Sequence, residues 1–82
     1  MKITGNFKTR LKKAKKEGYT HLSSTASNEY TTTYYHFELI SDLLKCEIGE
    51  NRSYGRYNGV TITQFLTQYP GSKIIGYQDC FK

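Results

Sequence analysis

Residues 7–18, Phe7-Lys8-Thr9-Arg10-Leu11-Lys12-Lys13-Ala14-Lys15-Lys16-Glu17-Gly18, leave this chain few ways to fold. Lys, Arg, Leu and Ala lose little side-chain freedom in a helix, and no β-branched run interrupts them, so the segment is predicted to be one short basic helix. Gly18 stands where a residue with φ > 0 commonly follows a last turn, and Asn6 or Thr4 is placed to cap the start. Phe7, Leu11 and Ala14 fall at i, i+4 and i+7 and make one narrow apolar stripe. Lys8, Arg10, Lys12, Lys13, Lys15 and Lys16 cover most of the remaining circumference. One edge of this helix must therefore meet a core while a wide positive arc faces outward.

The charge belongs to that end of the chain. Of twelve cations and seven acids, seven cations and one acid lie in the first seventeen residues, and the other 65 residues hold five cations and six acids. The net charge of +5 is thus a local property, and a local cationic arc has two readings. It is either a solvated face or a docking surface for a polyanion, where each lysine placed on a phosphate releases condensed counterions. A membrane surface is a second anionic partner for such a helix but is not the one expected here.

Eighty-two residues make one domain, residues 1–82, with enough chain for a small core and too little for two. The apolar fraction is only 37%, but 15% of residues are aromatic, mostly tyrosine, which argues for a compact fold over disorder. No apolar run is long enough to cross a membrane, and the polar start after Met1 lacks the apolar stretch of a secretory signal, so a cytoplasmic protein is expected. Cys46 and Cys80 form no CxxC pair and are read as free thiols, and Asn51-Arg52-Ser53 is a glycosylation sequon without the context that would use it.

Further along, residues 19–24 mix β-favouring side chains with small hydroxyls and are predicted to be a strand, with a turn over residues 26–29. Residues 31–39 carry the strongest β pattern in the chain. Alternation there sets Tyr35, Phe37 and Leu39 on one face and Tyr34, His36 and Glu38 on the other, completing a hairpin. Ile40, Leu43, Leu44 and Ile48 have helical spacing with Ser41 as a cap and Gly49 as a stop, although residues 43–48 also fit a strand turning at Gly49-Glu50-Asn51. Thr61 and Gln64 have capping-box spacing, and Ile62, Phe65, Leu66 and Tyr69 form a stripe, so residues 62–69 are predicted to be a helix stopped by Pro70-Gly71. Residues 73–77 read as a closing strand. The fold expected is α+β: a small antiparallel sheet of three to five strands, with the N-terminal basic helix and one or two further short helices packed on it.

Catalytic constellations are poorly supported. His36 with Cys46, or His21 beside Ser23 and Ser24, supplies nucleophile and base types without a positioned third group. His21, His36, Cys46 and Cys80 lack the paired spacing of a zinc module, the acids are scattered singly, and no phosphate-cradling glycine loop occurs. No catalytic residue, metal or cofactor is assigned. A second binding region is Arg52-Ser53-Tyr54-Gly55-Arg56-Tyr57, where Arg52, Tyr54, Arg56 and Tyr57 offer guanidinium and aromatic faces to bases. Its echo of the aromatic strand of RNA-recognition motifs fails, because Ser53 stands where that pattern needs glycine and the order of elements differs. The expectation is a non-enzymatic binding protein whose basic helix docks on nucleic acid or a nucleoprotein complex. The alternative is an inhibitor or adaptor of the mobile-element or viral accessory type, blocking a groove on a larger protein through exposed tyrosine and arginine.

Overall fold

The computed structural model describes residues 1–27, 33–52 and 60–81. In chain order the elements are α1 (Gly5–Lys16), β1 (His21–Ser27), β2 (Thr33–Leu39), α2 (Ile40–Leu44), α3 (Ile62–Gln68), β3 (Ile74–Gly76) and a 3₁₀ turn at Asp79–Phe81. The expected α+β arrangement is what forms: an N-terminal helix, a three-stranded sheet and short helices packed against it. The strand order is β2-β1-β3, with β1 antiparallel to β2 and parallel to β3, so the sheet is mixed and not antiparallel throughout as expected, because β3 arrives from beyond α3 rather than through a hairpin.

The register decides what each face meets. Leu22 pairs with Glu38 and with Ile75, and these three side chains share the face against which α1 packs. There Ile3, Phe7, Leu11, Ala14, Leu22, Ile40, Leu43, Cys46 and Cys80 form the principal core, joined by half-buried Tyr19, Ile75, Tyr77 and Phe81. The opposite face carries His21, Ser23 and Phe37, and α3 covers it with Phe65, whose ring stacks on Phe37 at 4.3 Å and meets His21 edge-on at 4.9 Å. Three layers result, helix on sheet on helix, from only three strands.

Local boundaries follow hydrogen bonding. Thr4, one of the two caps expected for α1, accepts from the Phe7 N–H at 3.0 Å. The helix ends in a Schellman motif: Gly18, at φ 96°, donates to Lys15 O, and Tyr19 donates to Ala14 O. α2 is shorter than residues 40–48 and starts after Leu39 with no side-chain cap, leaving the expected Ser41 cap inside the helix and Ile48 exposed beyond it. α3 begins with the expected capping box of Thr61 and Gln64. β1 runs on to Ser27, into the segment read as a turn, and the remainder of that turn lies outside the described residues.

Candidate nucleic-acid interface

α1 buries Phe7, Leu11 and Ala14 and nothing else. Lys12, Lys13, Lys15 and Lys16 are exposed, and Lys8 and Arg10 flank the buried stripe half-exposed. Among the described residues no carboxylate pairs with Lys8, Lys12, Lys13, Lys15 or Lys16. Lys8, Lys12 and Lys16 repeat at i, i+4 and i+8, a spacing at which each like-charged neighbour costs about 0.2–0.5 kcal/mol of helix stability. Lys13, Lys15 and Lys16 recover part of that cost from the negative end of the helix dipole. These five lysines, with no ion pair among the described residues, are available to an external anion.

The fold adds a cation that no local pattern could supply. Lys73, from the residue preceding β3, reaches the last turn of α1, where its Nζ donates to the Glu17 carbonyl at 3.1 Å and sits 4.4 Å from the centre of the Tyr19 ring. Positive charge thus continues past the helix end over an aromatic ring. Only the sheet pairing of β1 with β3 could have placed it there.

The second expected region divides. The Arg52 guanidinium is forked against Glu38, with Nε and Nη2 each 3.4 Å from a carboxylate oxygen, and Nη1 lies 3.8 Å from Cys46 Sγ. The hydrogen bonds and charge of Glu38 raise the pKa of Arg52 further above its ordinary value. Arg52 is therefore committed to the fold. Tyr54, Arg56 and Tyr57 lie outside the described residues.

His21 Nδ1 is 2.8 Å from Thr20 Oγ1, and burial lowers its pKa. Cys46 donates to Asp42 O at 3.6 Å, and burial, reinforced by the Glu50 carboxylate, raises its pKa, the opposite of what an activated nucleophile needs. Cys80 is likewise raised by burial, against a smaller opposing effect of Arg10. His21 faces α3, whereas Cys46 and Cys80 belong to the core on the α1 side. Among the described residues no three His, Cys, Asp or Glu side chains converge to hold a metal, and no helix is long and apolar enough to cross a membrane.

α3 contributes an exposed face of a different kind. Of its expected stripe only Phe65 is buried; Ile62, Leu66 and Tyr69 are 38%, 39% and 42% exposed. The helix carries no charged residue. The chain matches no protein-family model and shows no significant similarity to a curated protein or to a solved structure.

Proposed function

We propose that this is a non-enzymatic cytoplasmic binding protein whose α1 docks on nucleic acid or on the nucleic-acid-lined surface of a nucleoprotein complex. One observation supports it above the rest: a helix anchored by three apolar residues directs its lysines outward at mutually repelling spacing, and none of Lys8, Lys12, Lys13, Lys15 and Lys16 forms an ion pair among the described residues. A merely solvated face gains nothing from that repulsion, whereas a polyanion converts it into affinity. Lys12, Lys13, Lys15 and Lys16 make the principal contacts, Lys8 and Arg10 flank them, and Lys73 extends the track.

The test is a salt titration of binding to a mixed-sequence oligonucleotide. Affinity should fall steeply as salt rises, and replacing Lys12, Lys13 and Lys16 by alanine should lower the slope of log K against log salt by about 0.7–0.9 for each phosphate that is no longer neutralised. Binding that survives those substitutions with its salt slope intact rejects the reading.

The uncharged, exposed ridge of Ile62, Leu66 and Tyr69 favours a second reading, an inhibitor or adaptor that inserts α3 into a groove on a larger protein. Its affinity would respond weakly to salt and strongly to Leu66→Ala and Tyr69→Ala. Capture of a partner from nuclease-treated lysate that these substitutions leave undiminished would exclude it.

A further inference from the structure

The end of α1 is more than a charged terminus. The Schellman motif that stops the helix fixes the backbone up to Tyr19, the Thr20 N–H donating to Lys73 O fixes it beyond, and the Lys73 ammonium lies 4.4 Å from the centre of the ring. Beside this ring opens a cleft of about 290 Å³, lined by Lys15, Gly18, Tyr19, Thr20, Leu39, Ile40 and Ser41. The lining residues bring one ammonium, one aromatic ring, the half-buried aliphatic side chain of Leu39 as an apolar floor with Ile40 buried beneath it, and the hydroxyl of Ser41. Thr20 is not a free recognition group, since its hydroxyl already accepts from the Lys73 N–H at 3.0 Å and lies 2.8 Å from His21 Nδ1.

A cation next to a fixed ring with an apolar floor matches the two unlike halves of a nucleotide, an anionic phosphate and a flat base. At about 290 Å³ the cleft lies just below the range of drug-sized ligand sites, about 300–1,000 Å³, and suits no more than one such unit. A base in a duplex is stacked and paired and cannot enter. We propose that this cleft takes one unpaired nucleotide of a bound strand, with its base against Tyr19 and its phosphate at Lys15, so that the protein prefers single-stranded to duplex nucleic acid. The inference rests on the polyanion reading of α1 and adds to it a base-sized subsite at the end of the lysine track.

The experiment compares a short oligothymidylate with a duplex of equal length, at one salt concentration, for the parent protein, Tyr19→Leu and Tyr19→Phe. Leucine keeps apolar contact with the core but removes the ring, and phenylalanine keeps the ring. Tyr19→Leu should weaken oligothymidylate binding about tenfold or more and duplex binding far less, while Tyr19→Phe binds both like the parent. Equal loss on both ligands, or no loss on oligothymidylate, overturns the subsite while leaving the polyanion reading standing. A parent that binds neither ligand at low salt removes both. Photo-crosslinking of a 4-thiothymidine oligomer to the unaltered protein gives an independent reading: the adduct should map to the peptide carrying Tyr19, and adducts confined to other peptides overturn the proposal.

Discussion

Arg52 grips Glu38 through two nitrogens, each 3.4 Å from a carboxylate oxygen, across fourteen positions of sequence. Glu38 is 3% exposed, on the face of the sheet that α1 covers, while the Arg52 side chain keeps 34% of its surface in water. Removing the guanidinium leaves a carboxylate stranded in the core, which ordinarily costs about 3–5 kcal/mol; partial exposure of Arg52 reduces the expectation to about 2–3 kcal/mol. Arg52→Met should show that loss in urea unfolding, and Glu38→Leu combined with Arg52→Met should restore most of it, because leucine suits the apolar neighbourhood of Leu22. A double variant no more stable than Arg52→Met would mean that Glu38 is not effectively desolvated.

Phe65 is the one buried residue of α3, clasped between Phe37, His21 and Tyr69. Truncating a buried phenylalanine costs about 3–5 kcal/mol. In Phe65→Ala the loss should be uneven: amide exchange should accelerate most in α3, which has no other buried residue, while α1, buried through Phe7, Leu11 and Ala14, keeps the protection set by the global stability. Uniform acceleration across both helices would show that the two sheet faces unfold as one unit.

What was legible in the sequence was what neighbouring residues decide. The α1 stripe of Phe7, Leu11 and Ala14, the caps at Thr4 and Thr61, and the stop at Gly18 all follow from contacts within one or two turns, and they appear where the pattern puts them. Alternation in residues 31–39 gave the two faces of β2, but not that both are covered. A strand with Phe37 on one side and Glu38 on the other, each buried, needs a helix on each face, and only the long-range packing of α1 and α3 decides that. The parallel pairing of β1 with β3, the arrival of Lys73 over Tyr19 and the burial of Glu38 by Arg52 all join residues distant in sequence. For the same reason the Ile62, Phe65, Leu66 and Tyr69 stripe looked like a core face, yet a short helix laid on a three-stranded sheet buries Phe65 alone.

His21 supplies a pH dependence. Burial lowers its pKa below the ordinary value near 6.5, so the unfolded chain binds the proton more readily than the folded one. The stabilising contribution of neutral His21 is complete above about pH 6.5 and is lost as the pH falls through the depressed folded value. Thermal unfolding should therefore show a falling Tm from pH 7 toward pH 5, and His21→Gln, which cannot charge, should flatten that part of the profile relative to the parent. An equally steep fall in His21→Gln would assign the acid sensitivity to other groups.

Lys12 sits between Lys8 and Lys16 at i−4 and i+4 on an exposed helical arc, so its substitution separates the two meanings of the charge. Lys12→Glu turns two like-charge neighbours into two opposite ones, each worth about 0.2–0.5 kcal/mol in either sense, for a gain of about 1 kcal/mol in stability at low salt. If the arc were only a solvated face, this more stable variant would do everything the parent does. If the arc is a docking surface, stability and function part company: unfolding in urea shifts to higher concentration, while affinity for an oligonucleotide falls and its salt slope flattens. A Lys12→Glu protein that is more stable and binds as tightly as the parent would end the case for α1 as the interface. A less stable one would show that Lys8 and Lys16 do not approach Lys12 as the helix geometry requires.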